Sequence, residues 1–219
     1  MNIVNKLTQK YNFETGDILL FSHDNQCNNC VNSFLSCFND CIKCCTSSKY
    51  SHSAIIVKDP DFFNDKRKGL FVLESSYETF PDAENNRKKL GVELDEFDKV
   101  YNDWEGQIYW RKLNCNRNEE FYRKFNQIHS DIHNLPYDID PVDWVKAKFK
   151  INIGNTQRRD TFWCASLVAY IYVKLGLLKS NTPWTLVSPK ELGTEVPTDL
   201  YFENCTLNKE IKIKKIKID

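Results

Sequence analysis

Cys164 is the first residue whose surroundings suggest chemistry. It stands in TFWCASLVAYIYVKLGLL, at the head of an apolar stretch whose pattern predicts a helix over 162–178. Asp160 or Thr161 is placed to cap its start, and Gly176 lies near its end. A thiol in the first turn of a helix faces unpaired backbone N–H groups and the positive end of the dipole, and both favour the thiolate, the reactive form. The same position also suits a plain core cysteine, since cysteine is among the most buried residue types. His52, in KYSHSAIIV, opens a strand-like segment, where an imidazole can take the thiol proton and later deliver it to a leaving group. Glu74 closes the next such segment, LFVLESSYE, where a carboxylate can hold the imidazole in one tautomer. A strand-end histidine that caps a backbone group, and an ordinary strand-end charge, are the plain alternatives. Ser75, Ser76 or Glu78 takes the place of Glu74 if the pairing slips by one residue, because a slip reverses the faces. Trp163, beside Cys164, is a candidate wall of a substrate groove.

The elements that must position these residues are legible in part. After a polar opening, Thr15-Gly16-Asp17 reads as a turn and ILLF as a buried strand. SHSAIIV, LFVLE and QIYWRKL supply three more strand patterns. Asn118 starts a helix whose stripe is Phe121, Phe125, Ile128, Ile132 and Leu135, and Pro136 ends it. Between these elements lie a Cys-rich insert at 22–48 and a stretch at 78–106 dense in charge, read as a solvated excursion. The closing IKIKKIKI reads as an edge strand guarded by lysines, with contact to phosphate or lipid headgroups as the alternative. Strands followed by helices predict an α+β fold in a single domain spanning 1–219.

Composition excludes several classes. Lys plus Arg and Asp plus Glu both number 30, and this zero net charge gives no overall attraction to nucleic acid. No apolar run reaches the length of a spanning helix, and the N-terminus lacks a secretory h-region. The expected location is cytoplasmic, neither secreted nor transmembrane, with most of the nine cysteines reduced.

Two further clusters invite a metal reading. Cys27, Cys30, Cys41 and Cys44 are spaced C-x2-C-x10-C-x2-C, as tetrahedral zinc requires, although no glycine knuckle follows either pair. The same stretch also has helical spacing, which would suit packing, oxidation, or an acylated face giving peripheral membrane contact. His129 and His133 stand four apart on the second predicted helix, but Ser130 occupies the place of the acid in HExxH. They are therefore expected to be helix-surface histidines, and neither a metal nor another cofactor is expected. His23, in the insert, has no evident partner.

The ordered motifs carry a family resemblance. TGDILLF followed by YSHSAIIV, then LFVLESSYE, LPYD at 135–138, FWCASLVAYIYVKLGLL and SPKELG at 188–193 resemble the circularly permuted branch of the NlpC/P60 papain-like superfamily. That branch includes YiiX/YaeF-type proteins and a poxviral group, and in it the His strand precedes the Cys helix. The resemblance implies a papain-like antiparallel sheet with packed helices and the nucleophile at a helix N-terminus. It implies Cys164 as nucleophile, His52 as base and Glu74 as the residue that orients it. Tyr137 would lie close by, to donate to the oxyanion or bind substrate, and the Cys164 backbone N–H is the other natural oxyanion donor. The implied activity is a thiol hydrolase or acyltransferase whose partner is a peptide or lipid acyl substrate. A non-catalytic scaffold retaining the fold, and a metal or membrane adaptor built on the insert, are the alternatives. With a low glycine content and many Asn, Lys and Ile residues, the resemblance also suggests a viral, virion-associated source.

Overall fold

The computed structural model describes residues 7–8, 10–22, 48–77, 80–138, 149, 151, 154–194 and 200–213. The zinc-spaced cysteines, His23 and Glu78 lie outside the described residues.

The Thr15-Gly16-Asp17 turn feeds β1 (Ile18–Ser22) into the sheet. Gly16 has φ +95°, and the Tyr172 hydroxyl donates to its carbonyl at 2.7 Å, so glycine's conformational freedom is used here. Asp17 is fully buried and accepts from Trp110 Nε1 at 2.8 Å, Leu113 N at 3.0 Å and Arg117 at 3.0 Å. The acid of the "GDI" motif therefore anchors the strand and performs no chemistry.

β2 (His52–Lys58), β3 (Leu70–Tyr77) and β4 (Leu90–Glu96) follow, then α1 (Phe97–Asp103), β5 (Gln107–Arg111) and β6 (Leu113–Asn114). α2 (Glu119–Ile132) and α3 (Cys164–Leu175) supply the longer helices, followed by β7 (Thr206–Leu207) and β8 (Ile211–Lys212). Six strands form one antiparallel sheet in the order β4-β3-β2-β1-β5-β8, while β6 pairs with β7. The fold is α+β. One sheet face (Ile18, Leu20, Ile55, Leu73, Val92) packs on α2 and α3. The other (Leu19, Phe21, Ala54, Ile56, Val72) packs on Phe13 and α1. Burial on both faces explains why the central strands read as continuous apolar runs with no alternation. β8 is an edge strand on β5, as its lysine pattern suggested.

Asn118 caps α2 by accepting from Phe121 N at 3.0 Å, and Gly176 closes α3 in the left-handed conformation. Neither Asp160 nor Thr161 caps α3. The Ser166 hydroxyl does so, accepting from Trp163 N at 3.0 Å and donating to Trp163 O at 2.8 Å.

Two further expectations fail. The stretch at 78–106 is not a solvated excursion throughout, because it contains β4, paired along the length of β3, and α1. Val92 and Leu94 face the α2/α3 core, while Glu93 and Asp95, from that charged stretch, are fully buried beside Glu74. His129 is not a surface residue either. It is 3% exposed, because Phe62 stacks flat on its ring at 3.9 Å.

Candidate active site

The segment after α2 holds the site together. Residues 134–138 run along the free edge of β4: Val92 N donates to Leu135 O at 2.8 Å and Tyr137 N to Leu90 O at 3.2 Å. So close an approach requires Gly91, since a Cβ there would lie 2.2 Å from Leu135 O. The same segment then grips the chain that leads into α3. Phe162 N donates to Pro136 O at 3.2 Å and Asp138 N to Phe162 O at 3.0 Å, while Ser75 Oγ donates to Phe162 O at 2.6 Å. Tyr137 and Cys164 are thereby fixed against the end of β3, next to Glu74.

His52, the first residue of β2, pairs with Phe21, and Glu74 pairs with Glu93. This register places His52 and Glu74 on the same sheet face, and His52 Nε2 contacts Glu74 Oε2. The Cys164 side chain also lies beside the His52 ring and helps to raise its pKa. Its apolar sides rest against Phe21 at 5.2 Å and Trp104 at 6.3 Å. The site thus straddles the sheet end: α3 lies on one face, Glu74 and the Phe21/Trp104 wall on the other, and His52 touches both. Cys164 is fully buried, whereas the His52 side chain is 12% exposed.

Burial opposes charge on His52, but the Glu74 carboxylate and the Cys164 side chain outweigh it and raise its pKa to about 10. Burial, followed by the proximity of Cys164 and Asp138, holds the Tyr137 phenol well above its ordinary range. At neutral pH the histidine is therefore an imidazolium and the tyrosine a neutral hydroxyl.

Behind Glu74 stand two acids that sequence reasoning missed. One oxygen each from Glu74, Glu93 and Asp95 lies within 4.8 Å of the others. Burial and then the charge of Glu74 push Glu93 up to about 8 and Asp95 up to about 9. Glu93 Oε1 accepts from Ser76 Oγ at 2.8 Å, while Glu93 Oε2 and Asp95 Oδ1 have no hydrogen-bond partner. The VELD alternation was the available signal, but it does not reveal that a second core covers the polar side.

Cys164, His52, Glu74 and Tyr137 are brought together. Trp163, expected to line a groove, is instead only 2% exposed, and its indole N–H is buried without a hydrogen-bond partner. The slipped alternatives to Glu74 do not apply to the described serines, since Ser75 bonds Phe162 O and Ser76 bonds Glu93.

No family model matches the chain, and no curated protein does. Among solved structures the chain is similar to YiiX from Escherichia coli O157:H7, described as a metalloprotein of DUF1105. The identity is 15% and the TM-score 0.46, over 94% of this chain and 99% of that one. Among the described residues, no helix is long and apolar enough to cross a membrane.

Proposed function

We propose that the protein is a cysteine-dependent hydrolase or acyltransferase with a permuted papain-like fold, acting on a peptide amide or a lipid acyl bond. The observation that carries this reading is the His52 imidazole, joined to Glu74 and lying beside the Cys164 thiol at the N-terminus of α3. His52 holds the proton of the Cys164 thiol, and the resulting thiolate attacks the acyl carbonyl, forming a C–S bond; as the C–N or C–O bond breaks, the imidazolium gives that proton to the departing amine or alcohol. His52, now neutral, takes a proton from water or another acceptor as that group attacks the thioester, and the C–S bond breaks. Glu74 keeps the ring oriented and balances its charge in the protonated state. The Cys164 backbone N–H and the Tyr137 hydroxyl supply the oxyanion donors.

Alkylation with iodoacetamide at neutral pH, followed by peptide mapping, tests the reading. Cys115 and Cys205 are each half-buried, yet burial raises the Cys115 thiol and pushes Cys205 up to about 11. Cys164 is buried completely, so if it reacts faster than these two, the cause is activation and not exposure. The reading expects that order, and expects it to disappear in His52→Ala. If Cys164 is spared while Cys115 and Cys205 react, the enzyme reading is rejected in favour of a scaffold.

A further inference from the structure

The end of α2 carries a second histidine–carboxylate cluster. His129 and His133 project from one face of the helix, four residues apart. The acid missing from HExxH comes from elsewhere in the chain: Glu84, in the turn between β3 and β4, where Glu84 N donates to Asp82 Oδ1 at 2.8 Å. One donor atom from each of Glu84, His129 and His133 lies within 4.8 Å of the others.

We propose that Glu84, His129 and His133 form a zinc site with three protein ligands and an open fourth position. The distances suit it. His129 Nε2 is 3.2 Å and His133 Nδ1 is 3.5 Å from Glu84 Oε2. Ligands bonded at about 2.0–2.1 Å around a tetrahedron stand ~3.4 Å apart. His129 Nε2 is buried and has no hydrogen-bond partner, because the Glu84 oxygen, though near, is off the N–H direction. An imidazole nitrogen in that state is costly to bury, and a metal ion would satisfy it.

The second histidine is oriented for the same task. Asp82 Oδ2 lies 3.1 Å from His133 Nε2, so with the ring proton on that nitrogen Nδ1 would turn its lone pair to the Glu84 side. A carboxylate behind a ligating histidine is the usual outer-shell arrangement of zinc sites. Asp82 is itself buried and fixed by Leu94 N at 3.0 Å and Lys89 Nζ at 2.8 Å. Lys89 also comes within 3.1 Å of His133 Nε2, on the Asp82 side of the ring, where the Asp82 carboxylate balances its charge. Asn134 Nδ2 approaches His133 Nδ1 at 3.1 Å, and metal binding displaces that contact. Two imidazoles and one carboxylate form a borderline donor set that suits Zn(II) better than calcium or magnesium. The ion would tie the β3–β4 turn to the helix end from which the segment carrying Tyr137 departs.

The test is titration of the chelator-stripped full chain with Zn(II) alone, in the parent protein and in two variants. Glu84→Gln alters a partly exposed side chain and keeps its shape. The second variant replaces Cys27, Cys30, Cys41 and Cys44 with serine and so removes any zinc held by the insert. One equivalent of Zn(II) should survive the cysteine replacement. Glu84→Gln should weaken that equivalent by more than the roughly 10–100-fold that outer-shell losses cost. Co(II) in the same site should show no thiolate charge-transfer band. Zn(II) should also raise the melting temperature of the cysteine variant and not that of Glu84→Gln combined with it. Equal zinc content and affinity with and without Glu84→Gln, or no zinc in the cysteine variant, overturns the proposal.

Discussion

Histidines meet carboxylates at the end of β2 and at the end of α2, and the two places treat charge differently. At the end of β2, His52 faces a group of three acids, and two of them, Glu93 and Asp95, are held protonated by burial and by Glu74. One negative charge is left, matched by one imidazolium. At the end of α2, Lys89 and Asp82 form an ion pair at 2.8 Å, and the two histidine nitrogens turned toward Glu84 share one of its oxygens, with Asn134 Nδ2 the further neighbour of His133 Nδ1 at 3.1 Å. The first arrangement stores a proton beside a sulfur, while the second presents lone pairs to a common point. In the functions proposed above, similar residue types serve proton transfer in one place and metal binding in the other, and the choice is set by which neighbours already balance the charge.

The largest effects should come from breaking the first arrangement. Cys164→Ala and His52→Ala should each lower kcat by on the order of 10⁴–10⁶-fold on an acyl substrate that the parent turns over, and the double variant should be little worse than either alone. Additive losses would show that the two residues do not act as one unit. Glu74→Gln keeps an acceptor but removes the charge that balances the imidazolium, so a loss of roughly 10²–10⁴-fold is expected. If Glu74→Gln is fully active, the charge of Glu74 is dispensable and a neutral acceptor is enough to orient His52.

Tyr137→Phe sharpens the comparison at smaller scale. It removes one hydroxyl from a side chain whose place is fixed by its backbone bond to Leu90 and by the bonds of Pro136 and Asp138 with Phe162, so the fold should hold. kcat should fall by roughly 10²-fold with little change in KM if the phenol donates to the oxyanion. A rise in KM at constant kcat would instead assign it to substrate binding.

The two regions also differ in how much of them could be read from the chain. His52 and Glu74 stand at the ends of consecutive strand patterns, and Cys164 heads an apolar helix, so local pattern was enough to group them. The caps and ends of α2 and α3 were foreseen to within a few residues, apart from the role of Ser166. The Glu84 cluster depends on contacts that local pattern does not encode. Its acid lies in a charged turn 45 residues before His129, and the burial of that histidine depends on Phe62, from yet another connection. β4 was missed for a related reason. Its charged alternation has the signature of a half-solvated strand, and only the packing of α1 and the neighbouring acids covers that side.

The smallest effect tests the acids behind Glu74 and is read in stability. Unfolded Glu and Asp titrate near pH 4, whereas Glu93 is raised to about 8 and Asp95 to about 9 in the folded chain. A carboxyl raised on folding contributes stability that is fully present below the unfolded value and lost as pH rises through the folded one. His52, raised to about 10, likewise contributes below about pH 6.5 and loses that contribution on approaching 10. All three groups therefore predict a melting temperature that falls between pH 6 and pH 10. Glu93→Gln removes one of these titrations, keeps the acceptor for Ser76 Oγ and places an amide where the uncharged acid stood. Relative to the parent, it should be more stable at pH 9 by a few degrees, on a scale of about 2–4 °C per kcal/mol for a chain of this length. At pH 5 the gain should shrink, because the unfolded glutamate is then close to its own titration range and its ionisation favours unfolding only slightly. Thermal melts of the two proteins across this range decide the matter: a gain that is constant with pH would mean that Glu93 is not held protonated, and that Glu74 shares its pocket with a second charge.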